Sequence, residues 1–552
     1  MRKVMVAVIA LFLVTVTGLT ACSDSDKKAE IQPSQSASPA SEAPESNSAA
    51  PVTWDSPNLS WKQDTSPVKY SMYIDFDWYS VDTWGKDDVS KEITKRTGVS
   101  LDVTKASDLN QLQVLLATGN LPDFIFTSNQ VQRFWDPKKI WPWNELMDKY
   151  APEFRQLLDP IEIANNTAPD GNFYTLKTHY SNDDQWADPR NLPSVGDPGL
   201  AVRQDILEAI GNPQINSLED LLEVLRTVHK KYPDMIVYLP SKDISNPIMD
   251  ILGFNNSNPY LDEQGNVKVN ISNPNFLEYL KFMNTLYREG MLDPESFTYD
   301  TDQFYQIAGE GNVFMASYST MVADLLNTRL KDNKKDGWFV PINDHSITYN
   351  GKDQMNLTEA GTGWASLFIN KNIKDPERAI RFVEFLKSPE GDALTQWGIE
   401  GLHYTMGDDG LLDFNNDYLK DKPVTETGIG AWYFQGSSFG ETLPMVSRAA
   451  DAPDQSQFLN VLKFRKTKIV RDPALSFVKP PSDTDEFNIS TRLQDLFNNE
   501  SVKIILSKSE DEVVSKYNEL MNNANKIGLE RLNTYMTEKY KEAKVKYESL
   551  KK

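Results

Sequence analysis

The stretch from Gly98 to Phe126 leaves a chain like this few folds to choose from. Gly98 can close a helix in the left-handed conformation that only glycine adopts without strain. Val99-Ser100-Leu101-Asp102-Val103 then alternates apolar and polar residues, the period of a short strand. Ser107 can cap a second helix that carries Leu109, Leu112, Leu115 and Leu116 on one face and ends at Gly119. Pro122-Asp123 leads into Phe124-Ile125-Phe126, an apolar run suited to a parallel strand covered on both faces. Strand, helix and strand joined by short loops imply a right-handed parallel unit, and therefore an α/β fold.

The residues of this unit also carry a resemblance. The pattern E-x-x-x-x-T-G-V over 92–99, followed by L-A-T-G-N-L-P-D-F-I over 116–125, resembles the first lobe of family-1 extracellular solute-binding proteins, which feed sugars to ABC importers. In that family the L-P-D segment brings a strand to the ligand cleft between two lobes. Here the strand is followed by Thr127, Ser128 and Asn129, all with hydrogen-bonding side chains, and Ser128 and Asn129 are the candidates for ligand contact. Further phrases agree: Asp170-Gly171-Asn172-Phe173-Tyr174 near the first crossing between lobes, and Leu200 to Leu207 at the start of the second lobe. The most specific is D-P-E-R-A-I-R-F-V-E-F-L-K-S-P-E-G over 375–391, followed by G-I-E-G-L-H-Y over 398–404. The resemblance covers most of Val68 to Tyr404 and implies a two-lobed, periplasmic-binding-protein-like (type II) fold with a hinge and a central cleft.

Arg2 and Lys3 precede an apolar run from Val4 to Val16, too short for a bilayer span of roughly 20 residues but suited to a signal peptide. Leu19-Thr20-Ala21-Cys22 resembles the lipobox of bacterial lipoproteins, in which the cysteine is acylated and becomes the mature N-terminus. Cys22 is the only cysteine among 552 residues, so no intramolecular disulfide forms. Ser23 to Val52 is rich in Ser, Ala, Pro and Glu and reads as a disordered tether. The expected division is a signal peptide over 1–21, a lipidated N-terminus and tether over 22–65, lobe 1 over 66–178 plus 350–398, and lobe 2 over 179–349 plus 399–552 with C-terminal helices. The expected location is the extracytoplasmic face of the cell membrane.

A formal net charge of −22 argues against nucleic-acid binding, which favours basic faces. The supply of 12 Trp, 22 Tyr and 25 Phe can furnish both a core and a sugar-stacking surface. Ligands of open α/β sheets bind beyond the carboxyl ends of strands. The first strand, Val68 to Ile74, is followed by Asp77 and Trp78, with Trp84 a little further on; each can face the cleft, while Trp78 can instead pack the next helix. Trp186 lies in a polar, Pro-rich loop without a periodic core role. Arg203 points into the cleft if the family resemblance holds, or pairs with Asp205 at the surface. Trp364 sits at the start of a strand after Gly361 and Gly363, Glu400 and His403 lie in the 398–404 phrase, and Trp432 belongs to an aromatic run among glycines, as a platform or as a buried strand.

Catalytic patterns are sparse. Gly436-Ser437-Ser438-Phe439-Gly440 fits G-x-S-x-G, but that fold needs a histidine after the serine, and His179, His229, His345 and His403 all precede it. There is no H-E-x-x-H, P-loop or C-x-x-C. Many relatives place a calcium loop after the helix that begins at Ser217; Lys230 to Met235 lacks its spacing, so no metal and no cofactor is expected. The chain reads as a monomeric, non-enzymatic receptor for a carbohydrate, an oligosaccharide by its resemblance to the large oligosaccharide-type lipoproteins of the family, with ABC transporter permease subunits and the membrane as partners. Two carboxylates distant in sequence would serve glycoside hydrolysis, so an extracellular glycoside hydrolase is one alternative. A peptide-binding receptor of the same design is the other.

Overall fold

The computed structural model describes residues 58–107, 111–242, 246–254, 259–449, 453–481 and 484–551. The expectations for the signal peptide, the acylated Cys22 and most of the tether fall outside these residues. So do Leu109 and the turn that Ser107 would cap, because the helix is described from Gln111 to Thr118.

The first sheet has four strands in the spatial order Ser366–Ile369, Phe124–Thr127, Val68–Ile74, Val99–Lys105. Val68–Ile74 runs parallel to both of its neighbours, with Val68 opposite Val99 and Met72 opposite Phe124. The expected strand–helix–strand unit is therefore parallel, with the N-terminal strand inserted between its two strands. Polarity sorts the positions. Val99–Lys105 carries Ser100, Asp102 and Thr104 and takes the half-wet edge, whereas all four residues of Phe124–Thr127 are buried. Ser366–Ile369 pairs antiparallel on the far side, Leu367 opposite Phe126. The helix Asp88–Thr97 is capped by Asp87 and ends at Gly98, with φ of 72°. A Cβ at Gly98 would lie 2.1 Å from the Thr65 carbonyl oxygen, so both its conformation and its surroundings require glycine. Ile74, Ile93, Ile125 and Phe126 are fully buried here, each worth about 1.5–3 kcal/mol of apolar burial.

The second sheet runs in the order Ile236–Pro240, Val313–Ser319, Pro198–Arg203, Phe339–Pro341, and the last is an edge strand. Ile236–Pro240 is parallel to Val313–Ser319 and the other pairings are antiparallel. One face, with Leu200, Val202, Tyr238 and Met315, packs on the helices Leu218–Lys231 and Phe276–Arg288. The other, with Ala201, Leu239 and Ala316, packs on Thr301–Gly309 and Val322–Asp332. The C-terminal helices Asp485–Ile505, Glu510–Ile527 and Leu529–Leu550 join the first of these clusters, where Phe497 stacks on Phe276 at 4.9 Å. Among the described residues no helix is long and apolar enough to cross a membrane.

Apart from Ile161, which reaches the second core from between Phe154 and Phe173 of the first, the chain passes between the two core clusters three times: from Leu176 to Leu200, from Leu357 to Ala365, and from Phe434 to Ala474. Two cores joined by three connections make two lobes. Two segments sit in the lobe opposite to the expected one. Met355 and Leu357 pack with the second sheet, and Ala431, Trp432 and Phe434 pack with the first. Polar bonds hold the latter: Trp432 Nε1 donates to Asp87 at 3.1 Å, and the Tyr79 hydroxyl donates to the Ala431 carbonyl.

Candidate ligand-binding site

The site grows from the carboxyl ends of the first sheet. Asp75, one residue beyond Val68–Ile74, is buried and accepts bonds from the hydroxyls of Tyr73 (3.1 Å) and Thr127 (2.8 Å) and from Asn129 Nδ2 (2.9 Å). This carboxylate ties two strand ends together and holds the Thr127–Asn129 loop in place. Asn129 is exposed and Ser128 half-buried, both beside the strand end.

The next residues form an aromatic surface. Trp78 is 60% exposed and Trp364 39% exposed, yet their rings stack 5.8 Å apart at 29°. Buried Phe76 supports both, at 5.2 Å and 4.8 Å. Aromatic pairs of this kind contribute about 0.5–1.5 kcal/mol beyond burial, which fixes the two indoles as one face. Trp364 arrives there because Gly363, with φ of 89°, lets its backbone run against Thr178; a Cβ at Gly363 would lie 2.7 Å from the Thr178 carbonyl oxygen. Asp77 is exposed next to Trp78. Adjacent large apolar side chains left open to water make this face the candidate binding surface.

Three neighbours extend this face without having been singled out as ligand contacts: Phe76, His179 and Tyr433. The His179 ring lies 6.1 Å from Trp364 and 5.1 Å from Tyr433, and its Nε2 is 3.7 Å from the Glu441 carboxylate. His179 adopts φ of 62°, uncommon for a residue with a side chain, and its buried Nδ1 has no hydrogen-bond partner. Tyr433 lies 5.6 Å from Tyr79 and sits between the face and the core.

The remaining candidates do not join the face. Trp84 donates to Thr94 Oγ1 at 2.8 Å and packs edge-on against Trp432 at 4.8 Å. Trp432 is fully buried, so this residue of the glycine-rich aromatic run is core and not a platform, while Tyr433 beside it borders the face. Arg203 is buried rather than pointing into a cleft: it forms two 2.7 Å bonds to Asp205 and donates to the carbonyls of Gly311 and Asp336. Glu400 is exposed on a turn. His403 is fully buried; its Nδ1 accepts from the Ile399 amide at 2.9 Å, its Nε2 faces Asp88, and burial lowers its pKa. Trp186 is half-buried in a different cavity, with Asp183, Arg471 and Tyr547.

No described histidine bonds to Ser438, the serine of the G-x-S-x-G pattern. Its hydroxyl faces Asn191 at 3.2 Å, and Ser437 caps the following helix while bonding to Asp392. The connections carry their own charge cluster. Arg465 donates to Asp250 at 2.7 Å and lies 3.3 Å from Asp197. Burial among like charges pushes Glu359 up to about 8, and burial pushes Asp250 up to about 6 despite the arginine.

The profile of the family described as bacterial extracellular solute-binding protein matches residues 82–393, more than half of the chain. A fructooligosaccharide ABC transporter substrate-binding protein, FusA of Streptococcus pneumoniae serotype 4, is 28% identical over 419 residues, which is 68% of this chain and 72% of that one. A polygalacturonan/rhamnogalacturonan-binding protein of Bacillus subtilis, YtcQ, is 21% identical over 356 residues, 61% of this chain and 67% of that one. The solved structure of S. pneumoniae FusA with kestose superposes at a TM-score of 0.65 and 16% identity, covering 87% of this chain and 100% of that one. At that identity the likeness speaks for the fold, which is the two-lobed one expected.

Proposed function

Because this chain belongs to the bacterial extracellular solute-binding protein family, we propose that it captures a neutral oligosaccharide on the Trp78–Trp364 face and presents it to an ABC importer. It works outside the cytoplasm as a binding protein, not as an enzyme. The observation that carries the ligand class is the pair of stacked, exposed indoles at the carboxyl ends of a parallel sheet. Indole faces cover the C–H faces of pyranose or furanose rings, and nearby polar groups fix the hydroxyls. Asp77, Ser128 and Asn129 supply such groups on the strand ends, with His179 and Glu441 beside Trp364. Carboxylates at Asp77 and Glu441 accept bonds from hydroxyls and repel a polyuronate. Closure of the two lobes around the sugar selects the form that the importer recognises. Acylation at Cys22 anchors the chain to the membrane as a monomer; two lipid chains give stable anchoring.

Intrinsic tryptophan fluorescence of the purified protein, titrated with neutral oligosaccharides, galacturonides and peptides, tests this reading, with product analysis on every hit. A saturable shift with intact neutral sugar is expected. Cleaved sugar replaces the reading with a glycoside hydrolase, and response to peptides alone changes the ligand class. Radiolabelled palmitate incorporation that disappears in Cys22→Ser tests the anchor.

A further inference from the structure

Trp186 lies away from the aromatic face, in a setting of its own. It lines a cavity of about 330 Å³ where the short helix Asp183–Ala187, the segment after Ile469–Arg471 and the terminal helix Leu529–Leu550 meet. None of the residues lining it belongs to the Trp78–Trp364 face. The indole is held from outside the cavity: Lys466 Nζ sits 5.3 Å from its ring and is itself fixed by bonds to the carbonyls of Asp188 (2.6 Å) and Asn191 (2.5 Å).

The polar wall has a buried floor, Arg471 and Asp472, and an open rim of Asp183, Lys544 and Lys551. The Arg471 side chain is 5% exposed, pairs with Asp183 and donates to the Ser181 and Gly361 carbonyls, yet its Nε has no hydrogen-bond partner. Asp183 also pairs with Lys551 at 3.2 Å, and Asp472 accepts from Lys544 at 3.3 Å and from the Tyr540 hydroxyl at 2.5 Å. The three cations of the wall, Arg471, Lys544 and Lys551, are all paired with Asp183 or Asp472, while the lining Glu548 carries no ion pair among the described residues. An anionic ligand would find no unpaired counter-charge. A neutral polyol would find carboxylate acceptors for its hydroxyl protons, guanidinium and ammonium donors for its oxygens, and the Trp186 and Tyr547 rings for its C–H face. The volume is at the small end of ligand pockets and suits one sugar ring rather than a chain.

We propose that this cavity is a second saccharide site, specific for a single neutral sugar unit, behind the connections between the lobes. It stands apart from the capture reading, since it shares no residue with that face.

The test is ligand-observed saturation-transfer NMR on the full chain carrying Trp78→Ala and Trp364→Ala, with D-glucose, D-fructose, D-galactose and D-galacturonate as probes. Transfer to at least one neutral sugar is expected in this background. It should fall at least tenfold when Trp186→Ala is added, persist with Trp186→Phe, and be absent for galacturonate. Equal thermal midpoints for the Trp186 variants confirm that the fold is retained, and Lys544→Ala gives an independent reduction through the opposite wall. Absence of transfer to any neutral sugar, or transfer indifferent to Trp186→Ala and Lys544→Ala, overturns the site. Galacturonate transfer equal to that of the neutral sugars overturns its specificity. Failure of the capture reading would register elsewhere, as unchanged oligosaccharide affinity on losing Trp78 and Trp364.

Discussion

Arg465 donates a 2.7 Å hydrogen bond to Asp250, and both side chains are almost wholly buried, at 3% and 1% exposure. Asp197 and Glu359 border the same guanidinium. Removing the cation would strand buried carboxylates, so Arg465→Met is expected to cost about 3–5 kcal/mol of stability, read as a lowered denaturant midpoint with an unchanged slope.

Glu359 gives this cluster a pH dependence of defined sign. Burial and the neighbouring Asp197 raise its folded value to about 8, from the ordinary glutamate value of 4.5. Between those values the folded state holds a proton that the unfolded chain has released. Its contribution is therefore fully present below about pH 4.5 and lost as pH rises through 8. Thermal unfolding at pH 5 and pH 8 should show wild type losing more stability at the higher pH than Glu359→Gln does. Parallel curves for the two proteins would refute the assignment.

Trp78→Ala and Trp364→Ala are each expected to weaken saccharide binding about ten- to a hundredfold, or about 1.4–2.8 kcal/mol. Because each change removes a partly exposed ring together with its aromatic pairing, stability should fall by only about 0.5–1.5 kcal/mol. Calorimetric titration beside thermal unfolding separates the two effects.

Trp432→Ala should behave in the opposite way. Its buried ring and its bond to Asp87 predict a stability loss of about 3–5 kcal/mol. Affinity of the protein that remains folded should be unchanged. A selective loss of affinity with full stability would return Trp432 to the ligand surface.

Gly98→Ala meets a positive φ and a carbonyl oxygen 2.1 Å from the new carbon. The expected loss exceeds the roughly 1 kcal/mol of an ordinary left-handed alanine, measurable by chemical denaturation.

Local chemistry explains which parts of this fold are legible in the sequence. Ser217, Asp375 and Ser388 cap their helices as their neighbours imply, since a cap and its partner amide lie within three residues. Trp78 was legible as a strand-end residue, and Trp364 through the glycines before it. Trp84 and Trp432 were not separable from them, because a tryptophan in a loop reads alike whether it faces water or a buried carboxylate such as Asp87. Arg203 illustrates the same limit: Asp205 is a sequence neighbour, but the Gly311 and Asp336 carbonyls that bury it are distant along the chain. His179 gave no signal, since its role rests on a backbone angle that no residue pattern announces. The lobe membership of 399–436 depends on Trp432 reaching Asp87 across 345 residues.

That span has a kinetic consequence. The first sheet gains its outer strand only when Ser366–Ile369 arrives, and its core closes only with Trp432. A chain emerging from its N-terminus must therefore hold Phe124–Thr127 as an unpaired, apolar edge while most of the sequence is still to come. Such high contact order slows folding and leaves the intermediate open to aggregation. Whatever chaperones this chain during its synthesis has to shield that one edge, and the Trp78–Trp364 face, built on the same pairing, cannot form before that strand arrives.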